Sequence, residues 1–99
     1  MARRASRPSG NVFHDLGFEP EEAANLRIRA ELMLQLSETI HALGLTQSAA
    51  ARLLGVTQPR VSDVVRGRID LFSIDALVNM LGRAGVRIRL SVEPPREVA

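Results

Sequence analysis

The chain has 99 residues, with thirteen arginines, no lysine, eleven acids and a formal net charge of +2, a length that suits one domain burying roughly 60–65% of its unfolded surface. Apolar residues make up 45% and only three residues are aromatic, so the core must be aliphatic, which favours packed helices over an aromatic-rich sandwich. The absence of cysteine excludes a disulfide framework, a Cys-ligated zinc site and thiol catalysis; no apolar run nears the roughly 18 residues of a membrane span and no signal-peptide core follows the first arginines, so a cytoplasmic protein is expected.

The charge is unevenly spread. Residues 1–45 carry five Arg against six acids, and residues 46–99 carry eight Arg against five acids. Arginine's planar fork suits phosphates and guanine edges, although a GC-rich genome would also favour its codons. A sequence pI near 10.9 permits nucleic-acid binding without requiring it.

In chain order, residues 1–10 ("MARRASRPSG") are small, polar and basic, which predicts a disordered arm; Arg3, Arg4 and Arg7 would let such an arm lie along DNA. "NVFHDLGF" (11–18) is apolar but too brief for a helix of its own. Its Val12, Phe13, Leu16 and Phe18 are expected to fill a groove on the domain or on a partner. A long helix follows, with Pro20 in the first turn, Glu21 and Glu22 at the positive end of the dipole and Gly44 as terminator. Leu26, Ala30, Met33, Leu36, Ile40 and Leu43 form its inner stripe. Ile28 and Leu32 lie off that stripe, so the helix wants a second partner surface and is a candidate dimer contact.

Three shorter helices come next. Thr46 caps Gln47–Leu54, closed by Gly55; Thr57 caps a helix from Gln58 to about Arg66, closed by Gly67; Ser73 caps "IDALVNMLGRAG", with Ile74, Leu77, Val78 and Leu81 as its inner face. The period then changes to two. Val86, Ile88, Leu90 and Val92 alternate with Arg87, Arg89, Ser91 and Glu93, which predicts a strand over 86–93, stopped by Pro94 and Pro95; residues 94–99 form a tail. A lone strand leaves its backbone groups unpaired, so it needs a neighbour: residues 11–13, the same strand of a second copy, or another protein.

The informative segment is "LTQSAAARLLGVTQPRVSDVVRG" (45–67). Gly55-Val56-Thr57 joins two short helices too tightly to leave slack, so they must cross steeply. Ala51 gives the room for that crossing and Gly55 takes the positive φ of the turn. Leu54, Val56, Val61 and Val64 point inward and lock the helices together. This is the pattern of a helix-turn-helix, whose second helix lies in the DNA major groove. "GLTQSAAARLLGVTQPRVSDVVRGR" resembles the lambda-repressor/Cro-like (XRE) helix-turn-helix family over the whole motif, and the resemblance extends over about residues 33–85. With "NVFHDLGF" in front and a strand ending in Pro-Pro behind, the arrangement is similar to HigA-type antitoxins. The expected fold is therefore mainly α: a compact bundle of about five helices over residues 11–93, with one short C-terminal strand.

The resemblance implies that the first turn of the second helix reads bases. That role falls on Gln58, Pro59, Arg60, Ser62 and Asp63, with Gln58 able to pair with adenine and Arg60 with guanine. Gln47 resembles the family residue that touches backbone phosphate, and Thr46, Arg52, Thr57, Arg66 and Arg68 are further phosphate candidates. Pro59 falls in the first helical turn, where its missing N–H costs nothing. Asp63, between Arg60 and Arg66, reads best as a local ion pair that poses Arg60; the other reading is an acceptor for a cytosine amino group. Val12, Phe13, Phe18, Ile28, Leu32, Val86, Ile88, Leu90 and Val92 are the candidate contacts with a second copy or a partner. His14 and His41 lack metal-binding spacing, adjacent His14-Asp15 is no dyad, and no phosphate loop or nucleophile elbow is present. The expectation is a non-enzymatic DNA-binding regulator without cofactor, metal or small-molecule ligand. It is read as a homodimeric repressor on an inverted repeat, and as the antitoxin of an operon whose RelE-like ribonuclease toxin it also binds. The alternatives are a stand-alone phage-type or metabolic regulator, and an interaction module that does not bind DNA.

Overall fold

The computed structural model describes residues 11–95, so the expected basic arm over 1–10 and the last four residues lie outside the described residues. The elements are α1 (Val12–Asp15), α2 (Pro20–Ala42), α3 (Gln47–Leu54), α4 (Gln58–Val65), a single 3₁₀ turn (Ile69–Leu71) and α5 (Ile74–Arg83). The architecture is the expected bundle of five helices.

Residues 11–18 depart from the sequence reading. Asn11 nucleates a one-turn helix by accepting from the Phe13 and His14 N–H groups with its side-chain oxygen. Its amide nitrogen donates to the Ala23 carbonyl at 3.1 Å, which ties α1 to α2. Phe13 and Phe18 meet edge to face at 6.2 Å. The cap supplies what the short apolar run lacked.

In α2, Pro20 occupies the first turn as expected. Met33, Leu36 and Ile40 are buried at three- and four-residue spacing, whereas Leu26 and Ala30 are half-buried and Leu43 is exposed. Ala23, outside the expected stripe, is buried because α1 folds back on it. Leu32 packs against the core from its margin, and Ile28 remains on the surface.

The core comprises Met33, Leu36, Ile40, Ala50, Ala51, Leu54, Val61, Val64, Phe72, Leu77, Met80 and Leu81. α5 contributes Leu77, Met80 and Leu81, while Val78, expected inside, is exposed. Two stripes on α5 are equally periodic, one through Val78 and one through Met80 and Ala84. The lie of α2 and α3 selects the second.

The expected strand over 86–93 is absent: no described residue belongs to a strand, and residues 86–95 form no helix, turn or bend. The physical cause is the missing ladder partner. Residues 11–13, the one candidate neighbour within the chain, are taken up by α1, with Val12 and Phe13 helical and Asn11 as its cap. Val86 alone of the alternating apolar set packs against the core.

Candidate nucleic-acid interface

The α3–α4 unit is built as its residues dictate. The Thr46 hydroxyl accepts from the Ala49 N–H at 3.0 Å and starts α3. Gly55 follows α3 at φ +70°, and the Val56 N–H returns to the Ala51 carbonyl at 3.0 Å. Ala51, Leu54, Val61 and Val64 are buried where the helices cross, with Val56 partly buried beside them. A methyl group at Gly55 would sit 2.8 Å from Arg83 Nε, and that nitrogen donates to the Leu53 carbonyl at 3.2 Å. α5 therefore clamps the turn through Arg83, a residue the sequence reading did not single out.

Thr57 precedes α4 in extended conformation, but its hydroxyl makes no capping bond; the Arg60 and Val61 N–H groups reach its backbone carbonyl instead. Pro59 lies in the first turn and forfeits no intrahelical bond. Gln58 and Pro59 are exposed, and Arg60, Ser62 and Asp63 are half-buried. These five share the first two turns of α4. Of the phosphate candidates, Thr46, Gln47, Arg52, Thr57, Arg66 and Arg68 are all exposed. Arg52 donates to the Ser48 hydroxyl at 3.4 Å, and Arg68 pairs with Asp70 at 3.5 Å.

Arg60 is held differently from expectation. Its guanidinium carbon lies 4.0 Å from the centroid of the Phe72 ring, and Nη1 donates to the Leu71 carbonyl at 3.0 Å. Asp63 forms no ion pair with it or with Arg66. The magnitudes account for the choice. An exposed i,i+3 pair contributes about 0.2–0.5 kcal/mol. A guanidinium over an aromatic face contributes about 0.5–1 kcal/mol, and a hydrogen bond to a charged group about 1.5–3 kcal/mol. Phe72 and its loop therefore outcompete the acid.

That loop is tied from its other side too. Arg29 donates from Nη1 to the Ile69 carbonyl at 3.0 Å and to the Phe72 carbonyl at 3.4 Å, while its Nε binds Asn25 Oδ1 at 2.6 Å. Phe72, buried between them, fixes the segment that seats Arg60. Arg29 and Phe72 were also missed in sequence. The available signal was Phe72 itself, the one aromatic residue beyond position 18.

The family profile described as a helix-turn-helix domain matches residues 12–93, most of the chain. The chain belongs to the helix-turn-helix domain family. A solved structure named as an XRE-family transcriptional regulator is similar at a TM-score of 0.71 and 26% identity, over 79% of this chain and 91% of that one. No curated protein matches the chain. The helix-turn-helix is a DNA-binding motif whose second helix enters the major groove, and this chain is an XRE-type regulator of that class rather than an enzyme. No helix among the described residues is long and apolar enough to cross a membrane.

Proposed function

We propose that the protein is a cytoplasmic transcriptional repressor that binds an inverted-repeat operator as a homodimer and reads each half-site with α4. The observation that carries this reading is the exposed first turn of α4, with Gln58 and Pro59 presented on a turn that is locked from behind. Gln58 pairs with adenine through its amide, and Pro59 offers an apolar edge to a thymine methyl. Arg60 reads guanine from its seat on Phe72, where the Leu71 carbonyl engages only Nη1. Asp63, free of any ion pair among the described residues, accepts from a cytosine amino group, with Ser62 beside it. Thr46, Gln47, Arg52, Thr57, Arg66 and Arg68 meet phosphates. Each such contact adds about 0.9 to the steepness with which log affinity falls against log salt.

Footprinting on the promoter of the protein's own gene tests the reading. Two protected half-sites centred about 34 Å apart are expected, and a promoter left unprotected at low salt sinks the DNA-binding role.

Val12 on α1 and Leu16 just after it are exposed at 60% and 70%, and Phe18 and Ile28 remain on the surface. These exposed apolar side chains support a second role for the same chain, as the antitoxin of a RelE-like ribonuclease. A gene for a small protein of that kind beside this one, whose product co-purifies with the chain and loses ribonuclease activity, is the expected finding. An isolated gene leaves a stand-alone regulator.

A further inference from the structure

Residues 86–93 carry a two-residue alternation that the monomer leaves unused. The Val86 N–H donates to the Leu81 carbonyl at 3.0 Å, and beyond it no backbone group of residues 87–95 bonds to another described residue. Leu90 and Val92 are 85% and 81% exposed. An alternating segment with both backbone edges open and its outer apolar residues, Leu90 and Val92, bare has the pattern of a strand that lacks its neighbour.

We propose that the neighbour is the same segment of a second copy, paired antiparallel about a two-fold axis through Leu90. Directly opposed residues in an antiparallel pair share a face, so the axis must pass through a residue position for apolar side chains to meet apolar ones. An axis through Ile88 sets Arg87 opposite Arg89, and one through Arg89 sets that residue opposite its own copy. Both place like charges face to face, which destabilises a pair. In-register parallel pairing stacks Arg87 on Arg87 and Arg89 on Arg89. An axis through Ser91 brings Pro94 and Pro95 into the paired stretch, where they have no N–H to give. An axis through Leu90 sets Leu90 on Leu90, Ile88 on Val92 and Arg89 on Ser91, and it places Arg87 opposite Glu93 twice. The segment is complementary in charge and in apolar pattern to a reversed copy of itself, which favours a second copy over an unrelated partner. The proposal rests on the dimeric reading above and gives that dimer its interface; it does not depend on DNA.

The chain has no cysteine, so one introduced thiol reports its own surroundings. Oxidation of the full-length Leu90→Cys variant, without DNA, yields a cross-linked dimer, whereas Ile88→Cys and Ser91→Cys remain largely uncross-linked. Light scattering on the full chain supplies the second arm. Arg87→Glu or Glu93→Arg alone weakens dimerisation about tenfold, and the Arg87→Glu/Glu93→Arg swap restores it. A wild-type chain that stays monomeric at every soluble concentration overturns the proposal. So does a dimer indifferent to the charge changes, or cross-linking at Ser91→Cys in place of Leu90→Cys. A dimer that passes these tests yet leaves its promoter unprotected refutes the DNA-binding reading and leaves the interface standing.

Discussion

Residues 46–67 and residues 86–95 are both regular in sequence, and the fold treats them in opposite ways. In the first, Ala51, Leu54, Val61 and Val64 find their partners within the chain and are buried. In the second, Val86 is held while Ile88, Leu90 and Val92 stay on the surface. The lesson is that periodicity tells which face wants burial and is silent on what buries it. A helix satisfies its own backbone, so a short one needs only a groove. A strand also needs a ladder, and no strand forms among the described residues.

The sharpest way to break this contrast is to shorten one leucine in each region. Leu54→Ala should destabilise the fold by about 2–5 kcal/mol through the cavity it leaves. Leu90→Ala should change dilute protein by less than about 0.5 kcal/mol. Urea unfolding at unchanged slope measures both, and a comparable loss at Leu90 would mean that the monomer already packs its C-terminal segment.

A pair of glycines probes the turn at smaller amplitude. Gly55 and Gly85 both have positive φ, so alanine at either one costs about 1–2 kcal/mol in backbone strain. At Gly55 the methyl group must also displace the Arg83 guanidinium, whereas nothing lies within 4 Å of one at Gly85. Gly55→Ala should therefore be the more damaging. Equal effects would show that Arg83 does not clamp the turn.

Caps separate the two helices that the sequence treats alike. Ser73→Ala removes the bond to the Ala76 N–H and should cost about 1 kcal/mol. Thr57→Ala removes no side-chain cap, and its loss of stability should be the smaller of the two in the same unfolding assay.

The smallest expected effect is electrostatic. The hydrogen bond from Ser73, with help from backbone N–H groups, holds the exposed Asp75 carboxyl below the usual carboxylate range. A depressed folded pKa contributes stability above the unfolded pKa, and that contribution fades as pH falls through the folded value. Asp75→Asn should therefore be slightly less stable than wild type near neutrality and converge with it in acid. A gap independent of pH would remove the carboxylate from the explanation.

Much of the bundle was legible because its signals are local: Thr46 before α3, Gly55 after it, Pro20 and Pro59 in first turns, and inward aliphatics at helical spacing. What was hidden depends on contacts distant in sequence. Val78 and Met80 belong to equally good stripes, and only the placement of α2 and α3 decides between them. Asn11 gives no cap signal in the sequence because its helix is a single turn. The sequence offers Asp63, an i,i+3 neighbour on α4, as the partner of Arg60. Its actual seat, Phe72 with the Leu71 carbonyl, depends on a loop that Arg29 ties down from α2. The proposed base-reading set rests on the resemblance of its motif to a known family; the structure adds that Gln58 and Pro59 are exposed and that Arg60 is seated over Phe72.

The central claim is that α4 reads sequence, and selection from a random pool of DNA duplexes tests it most directly. The wild-type chain should enrich two inverted half-sites, and Arg60→Ala should relax preference at one base pair per half-site by about 1–3 kcal/mol. Arg52→Ala should weaken all sequences alike. A pool that stays random at low salt, or an Arg60→Ala variant that keeps every preference, would contradict the account.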